Sequence, residues 1–224
     1  MYRKRSDYTR SNKEGLRLKG TDGIIRIAIC GKLRSGKSAI ADHLTFEYGF
    51  TSMSFGAELK RQADELFADS EVFKTEETRV PDIFGGTRVV SERKPRELYQ
   101  RYGQAMRTLD PDVWVNQLAR TADALTNMRS TTGLVIEDTR QPNELEWCKQ
   151  NGYTIIRVTA PEGLRIERAT ALGDDFDAES LTHETEMHVD GFDVDYEITN
   201  DGSKTDLLAR VDEIVDEIRT KGSD

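Results

Sequence analysis

The 224-residue sequence has few of the features that mark secreted or membrane-spanning proteins. Its two cysteines, Cys30 and Cys148, are too few for a disulfide framework and lack the spacing of a metal site. No apolar run approaches the roughly 18–20 residues that cross a membrane. The charged N-terminus is not followed by the apolar stretch of a secretory signal. These absences predict a cytoplasmic protein with reduced thiols and no membrane partner.

An excess of positive charge is also missing. Acidic residues outnumber lysine and arginine by 41 to 32, for a net charge of −9. Because proteins that bind nucleic acid generally present a basic face, stable binding of nucleic acid is not expected. The exception is residues 1–22, which we interpret as a basic, flexible arm, with a functional basic tail as the alternative.

Short apolar runs alternate with helical stretches along the rest of the chain, without internal repeats. This alternation predicts an α/β fold, in which a parallel sheet carries helices on both faces within a single domain over residues 23–224. Residues 69–93 are polar and are interrupted by Pro81 and Gly85-Gly86, so we expect an irregular excursion there. The apolar runs that we interpret as strands are residues 24–30, 50–55, 133–138, 153–159 and 196–200.

One segment between a predicted strand and a predicted helix carries a phosphate-binding pattern. Gly31 is followed, after four residues, by Gly36-Lys37-Ser38, which is the P-loop pattern. In such loops the backbone N–H groups hold phosphate oxygens, the lysine reaches the β- and γ-phosphates, and the serine hydroxyl is a Mg²⁺ ligand. Arg34 either contacts the γ-phosphate or is an exposed loop residue. The residues predicted to bind ATP in this segment are Gly31, Arg34, Ser35, Gly36, Lys37, Ser38 and Ala39.

The pattern identifies a bound nucleoside triphosphate and leaves the reaction open. A guanine-specific switch protein needs an Asn-Lys-x-Asp element late in the chain, and the one Asn-Lys pair here, Asn12-Lys13, precedes the loop. AAA-type ATPases and helicases typically need a longer chain with additional motor elements. A small kinase that passes the γ-phosphate to a second bound molecule is therefore favoured.

Acidic and basic residues suited to phosphoryl transfer follow several predicted strands. Asp138 ends a buried strand, at the edge where ligands bind in open α/β sheets, and is either a Mg²⁺ ligand or a plain strand end. Arg140 could neutralise a phosphate or pair with Asp138. Arg165 and Arg168 are neighbours on a predicted helix that precedes an acidic flap, so they either close over the transferring phosphate or lie solvated at a helix end. The predicted catalytic residues are these four, Asp138, Arg140, Arg165 and Arg168, together with Lys37 of the loop.

A further set of basic residues could hold an acceptor. Arg96 and Arg107 are eleven residues apart on a predicted helix, about three turns, and therefore lie near one face. They could bind an acceptor phosphate through bidentate contacts, or be solvated like most surface arginines. Lys60 carries the same ambiguity, and Tyr102 is interleaved among the arginines.

Several segments together resemble a known family. "GKLRSGKS", "MSFGAELKRQA", "RELYQRYGQAMRTLDPDVWV", "VIEDTRQPNELE", "HETE" and "ITNDGSKTDL" occur in an order similar to phage-type deoxynucleoside monophosphate kinases, and dephospho-coenzyme A kinases are close in pattern. The resemblance covers roughly residues 24–218. It implies a P-loop NTPase fold of the nucleoside monophosphate kinase type, with an acceptor-binding region at about 56–110 and a lid at about 165–186.

The resemblance also implies an activity and its residues. ATP with Mg²⁺ would phosphorylate a deoxynucleoside 5′-monophosphate, with Ser38 and Asp138 at the metal and Asn200 and Gly202 beside the adenine. The residues that would face the acceptor are Lys60, Arg96, Tyr102 and Arg107. The location would be the host cytoplasm if the protein is phage-encoded, and a homodimer is compatible with the pattern. The alternatives are a kinase of another small acceptor, such as dephospho-coenzyme A, and an ATP-dependent switch or binding protein.

Overall fold

The computed structural model describes most of the chain in six segments. The backbone alone is described at 78–81 and 87–91, and the same holds for Arg96. The predicted arm at 1–22 and the greater part of the predicted lid, from 172 onwards to 186, lie outside the described residues. The described segments are residues 23–70, 78–81, 87–91, 96–128, 131–171 and 188–221.

Strands and helices alternate along the described residues. They form two compact units, of which the second is Phe55–Arg120 and the first comprises the described residues on either side of it. The elements in chain order are β1 (Ile25–Cys30), α1 (Lys37–Tyr48), β2 (Phe50–Met53), α2 (Phe55–Phe67), β3 (Thr78–Pro81), β4 (Thr87–Ser91), α3 (Arg96–Leu109), α4 (Val113–Met128), β5 (Gly133–Thr139), α5 (Pro142–Gln150), β6 (Thr154–Thr159), α6 (Glu162–Ala171), β7 (Tyr196–Thr199) and α7 (Lys204–Lys221).

The first unit is built on a five-stranded sheet in the order β2-β5-β1-β6-β7, and every neighbouring pair is parallel. Because side chains alternate along a strand, Ile27 and Ile29 of β1 point to one face, where they pack against buried residues of α1 and α7. Cys30 points to the other face, on which Cys148 of α5 is also buried. The predicted α/β fold, with a parallel sheet covered by helices on both faces, is confirmed.

The parallel arrangement positions the candidate site. Thr139, the last residue of β5, pairs with Cys30, the last residue of β1. The loop that follows β1 and the residues at the end of β5 therefore leave the sheet at the same edge. Among the described residues no helix is long and apolar enough to cross a membrane.

The second unit contains a packed helical pair and a short hairpin. The ring of Tyr102 on α3 contacts the rings of Phe67 on α2 and Trp114 on α4, with centroid separations of 6.3 and 6.0 Å. Strands β3 and β4 pair antiparallel. The prediction that residues 69–93 are irregular is wrong at these two strands. "TRVP" and "TRVVS" are rich in β-branched residues and stand on either side of a Gly-Gly pair in the sequence, which is a hairpin signal that the proline and glycines obscured.

Candidate active site

The loop between β1 and α1 adopts a conformation that depends on two glycines. Gly31 has a φ of 149° and Gly36 a φ of 114°, both in the region that favours glycine. A Cβ atom at Gly31 would lie 2.3 Å from the backbone oxygen of Val158, and one at Gly36 would lie 2.4 Å from Nδ2 of Asn200. Arg34, with a φ of 61°, is left-handed without being a glycine. The loop is thus fixed by the absence of side chains at its two ends.

The side chain of Lys37 folds back across this loop. Its Nζ donates hydrogen bonds to the backbone oxygens of Gly31, at 2.7 Å, and Lys32, at 2.8 Å. The ammonium group is therefore held at the mouth of the loop, where phosphate oxygens bind in a P-loop. Ser38 is exposed in the first turn of α1, with its hydroxyl open to a ligand.

The interior of the loop holds a buried hydroxyl group. The Oγ atom of Ser35 has no hydrogen-bond partner in the described part of the chain, although the residue is 1% exposed. A buried polar group without a partner costs about 1–3 kcal/mol, which a bound oxyanion would offset. This hydroxyl and the Lys37 ammonium fit the phosphates of a nucleotide.

Asn200, Arg165 and Arg168 contact the carbonyl groups of the loop from outside. Asn200 donates from Nδ2 to the Ser35 oxygen at 2.8 Å, in a buried hydrogen bond. Arg165 donates to the Leu33 oxygen at 3.3 Å, and Arg168 donates to the side-chain and backbone oxygens of Asn200, both at 3.3 Å. The structure thus brings all three predicted residues to the loop.

Gly202, which was predicted beside the adenine together with Asn200, is exposed two residues after it. It precedes a capped helix start, in which Asp206 accepts hydrogen bonds from the hydroxyl and the backbone N–H of Ser203. The same hydrogen bonds hold the pKa of the Asp206 carboxyl below its usual value. This turn follows β7 at the same sheet edge as the loop.

Asp138 lies at the end of β5 and is held by a residue that sequence reasoning missed. Ser54, which directly follows β2, donates a hydrogen bond of 2.6 Å from its hydroxyl to Oδ2 of Asp138. The sequence shows that Ser54 lies near the end of one predicted strand and that Asp138 ends another, but that the two meet depends on β2 and β5 being parallel neighbours. A carboxylate together with the Ser38 hydroxyl is the kind of oxygen ligand set that Mg²⁺ takes. The described residues contain no group of three or more His, Cys, Asp or Glu suited to a metal ion.

Arg140 follows Asp138 at the start of α5. Its backbone N–H donates to Oε2 of Glu144 at 2.8 Å, as part of a capping box that Gln141 completes. Within the described segments its guanidinium forms neither a hydrogen bond nor an ion pair, so the suggested pair with Asp138 is not formed. The half-buried cation is therefore available to an anionic ligand.

The residues predicted to face the acceptor lie in the second unit. Lys60 is exposed on α2 and Arg107 is half-buried on α3. The hydroxyl of Tyr102 donates to Oε1 of Gln62 at 3.0 Å, so this tyrosine links α3 to α2 as well as packing among the aromatic rings. Arg96 is the first residue of α3.

Cys30 ends β1 directly before the loop and is fully buried. Burial raises the pKa of its thiol to about 11, although the charges of Arg157 and Lys37 act in the opposite direction. Since the thiolate is the reactive form of cysteine, burial of Cys30 argues against a nucleophilic role for this side chain.

The sequence matches the family described as "AAA domain" over residues 27–182, and the chain belongs to this family. The match includes the loop, Asp138 and both arginines of α6. The expectation that chain length excludes AAA-type proteins is wrong, because the match to this family covers residues 27–182. The family match concerns the loop-bearing fold and does not specify the reaction.

Individual relatives are more distant. A protein of Acanthamoeba polyphaga mimivirus named "Putative deoxynucleotide monophosphate kinase" is 27% identical over 152 residues, which are 62% of this chain and 75% of that protein. The crystal structure of TT1252 from Thermus thermophilus shares the fold with a TM-score of 0.52 and 21% identity, over 87% of this chain and 97% of that one. A dephospho-CoA kinase from Campylobacter jejuni is similar with a TM-score of 0.48 and 13% identity, over 86% and 96% of the two chains.

Proposed function

We propose that the protein transfers the γ-phosphate of ATP to a deoxynucleoside 5′-monophosphate, giving the diphosphate and ADP. The observation that carries the proposal is the placement of Lys37 across the loop, at the same sheet edge as the Ser54–Asp138 pair. The choice of acceptor is supported by the resemblance of the motifs and by the name of the mimiviral relative.

In this proposal the first unit binds the donor. Backbone N–H groups of residues 31–38 and the ammonium of Lys37 would hold the phosphates of ATP. Ser38 and Asp138 would hold Mg²⁺, which supplies charge neutralisation at the phosphates. Asn200 would lie beside the adenine while it keeps its bond to the Ser35 oxygen.

Transfer would be direct, because the acceptor phosphate is already ionised and needs little help from a general base. Arg140 is available at the sheet edge to neutralise the transferring group. Arg165 and Arg168, which begin the proposed lid at 165–186, would act together with it once the lid excludes water. No residue of the chain would be phosphorylated in this reaction.

The second unit would supply the acceptor-binding region, at about 56–110 of a single kinase domain over 23–224. Lys60 and Arg107 make no hydrogen bond or ion pair with other described residues, so both are available to a phosphate. Arg96 at the start of the same helix would join them. Tyr102 would serve chiefly by keeping α2 and α3 together.

The test is an ADP-release assay with Mg-ATP and each of dAMP, dGMP, dCMP and dTMP, their ribo-counterparts, and dephospho-coenzyme A. Stimulation by one or more deoxynucleotides, and its loss in Lys37→Ala with the circular dichroism unchanged, is expected. Stimulation of ADP release by dephospho-coenzyme A alone would mean that this compound, and not a deoxynucleotide, is the acceptor. If no acceptor stimulates ADP release, the kinase proposal fails.

Membership of the AAA domain family favours a second candidate function, ATP hydrolysis that serves a switch or a binding partner. The two functions differ in their need for an acceptor. Substantial ATP turnover that no monophosphate stimulates would favour the switch. Turnover that is low alone and rises with an acceptor would favour the kinase.

A further inference from the structure

A cavity of about 210 Å³ lies beside the first residues of the phosphate loop. Its walls come from Gly31 and Lys32, the end of β6, the first turns of α6, and the turn at Val189–Gly191. Pockets for drug-sized molecules measure about 300–1,000 Å³, whereas a water molecule occupies about 30 Å³ of liquid. The cavity therefore suits a small group such as an oxyanion with a few waters, and is too small for a whole nucleotide.

Arg165 is the unusual residue in this cavity. It lines the cavity, yet only 6% of its surface is exposed. Across the described segments its guanidinium group makes a single hydrogen bond, to the backbone oxygen of Leu33 at 3.3 Å, and no ion pair. Burying a charge is costly unless the charge is paired and hydrogen-bonded. An arginine has five N–H donors, so most of its hydrogen-bonding capacity is unused here.

The other charged groups of the cavity already have partners or lie in water. Lys32 Nζ lies 2.6 Å from Oδ2 of Asp190. Arg157 forms an ion pair of 2.6 Å with Glu197 and also donates to backbone oxygens of the Val189–Gly191 turn and of the residue that follows it. Glu162 is exposed and is not paired with Arg165. Arg165 is thus the one cavity cation, among the described residues, whose charge no acid balances.

We propose that this cavity is an oxyanion subsite and that Arg165 is its buried cation. The ligand is a phosphate, either inorganic phosphate or the phosphate group of a larger molecule. The cavity includes Gly31 and Lys32 at the start of the loop, and Arg165 bonds the carbonyl side of the loop at Leu33, so this subsite adjoins the N–H cradle without being formed by its N–H groups. The inference rests on the burial and contacts of Arg165, so it does not depend on the kinase proposal.

The experiment measures binding of inorganic phosphate by isothermal titration calorimetry. It uses the full chain with Lys37→Ala, which removes the ammonium group of the cradle and none of the side chains that line the cavity. One phosphate per chain is expected. Adding Arg165→Met, which keeps an unbranched apolar stem and removes the guanidinium group, should weaken binding about tenfold or more.

Arg210→Met is the matched control, because Arg210 is an exposed arginine of α7 that pairs with Glu213 and does not line the cavity. It should leave phosphate binding within about twofold. Arg165→Lys, which keeps the charge, should restore part of the affinity and guards against misfolding of the methionine variant. Absence of phosphate binding in Lys37→Ala, or equal affinity with Arg165→Met and Arg210→Met, would overturn the proposal.

A second titration distinguishes the two sources of phosphate. Wild-type protein saturated with Mg²⁺ and the imido analogue of ATP has a filled cradle, and Arg165→Met then distinguishes a phosphate in the cavity from one at the proposed acceptor residues. One bound inorganic phosphate that Arg165→Met removes would assign the subsite to free phosphate. Loss of phosphate binding on saturation, together with weaker binding of the analogue by Arg165→Met than by Arg210→Met, would assign it to the terminal phosphate of the nucleotide. No effect of Arg165→Met in either titration would reject the subsite.

Discussion

Asn200 donates a hydrogen bond of 2.8 Å from its side-chain amide to the backbone oxygen of Ser35, and so joins the end of β7 to the phosphate loop. The backbone N–H of Asn200 is itself fixed, because it donates to the Thr159 oxygen at 2.7 Å. The amide also fills the space next to Gly36, where a Cβ atom would lie 2.4 Å from Nδ2. The shape of the loop thus depends on a residue from the far end of the sequence.

We expect Asn200→Ala to weaken ADP binding about tenfold, because it leaves the buried Ser35 oxygen without its donor. Calorimetric titration with Mg-ADP measures the effect. Asp201→Ala is the control, since the neighbouring side chain is exposed and should leave the dissociation constant unchanged. Equal affinity in the two variants would mean that the loop keeps its shape without this bond.

We expect Ser54→Ala to raise the Mg²⁺ concentration for half-maximal activity about tenfold, because Asp138 loses the hydroxyl that orients it. A readout apart from turnover is the gain in ADP affinity on adding Mg²⁺, which should shrink in Ser54→Ala and recover in Ser54→Thr. Ser52→Ala, an exposed position on β2, the strand that precedes Ser54, is the matched control. A Mg²⁺ dependence shared by all three variants would remove Ser54 from the site.

Two glycine substitutions should have opposite effects on stability. Gly31→Ala places a Cβ 2.3 Å from a backbone oxygen that cannot move aside and should lower the free energy of unfolding by at least about 1–3 kcal/mol. Gly163→Ala, in α6 with nothing within 4 Å, should raise it by up to about 1 kcal/mol. Urea unfolding followed by circular dichroism measures both. A stable Gly31→Ala protein would show that β6 can shift away from the loop.

The contribution of the α1–α7 contact to the free energy of unfolding should change with pH at values below the usual pKa of an aspartate carboxyl group. Burial of Asp212 disfavours its charged form, but hydrogen bonds from His43 and Tyr48 outweigh burial and hold its pKa below 3.8. Since the folded pKa is depressed, the contribution to stability is complete above pH 3.8 and is lost as the pH falls through the folded value.

Asp212→Asn should therefore lower the free energy of unfolding at pH 7. The difference in this free energy between the variant and the wild type should be smaller at pH 3. Urea unfolding at the two values measures this. Asp216→Asn removes an exposed acid of the same helix, paired with Arg219 at 3.7 Å, and should change stability little at either pH. A difference for Asp212→Asn that stays constant with pH would contradict the role of its charge.

Local patterns were sufficient to predict the main elements of the fold. The helix predicted from "RELYQRYGQAMRTL" is observed over the same residues, Arg96–Leu109, because its apolar spacing and the preceding Pro95 both mark its start. The buried strands were predicted equally well from their apolar runs. The hairpin of β3 and β4 was missed, since its strands are short and lie among polar residues and turn formers.

Individual residues of the candidate site could be predicted from the sequence, but the hydrogen bonds that join them could not. The P-loop pattern gave Lys37 and both glycines, because the chemistry lies within eight consecutive residues. The bonds from Ser54 to Asp138 and from Asn200 to Ser35 join residues that are 84 and 165 positions apart. Such pairs depend on strand order, and the sequence contains no local signal for the order in which strands pair.

The order of strands also bears on how the protein forms during its synthesis. The strand that leads into the phosphate loop is made among the first of the described residues, but its two neighbours in the sheet begin at Gly133 and Thr154. While the ribosome adds the intervening residues, this strand has no partner for its backbone. Full affinity for a nucleotide is therefore expected only after translation of the last strand and Asn200, and until then the nascent chain exposes an apolar edge that chaperones can recognise.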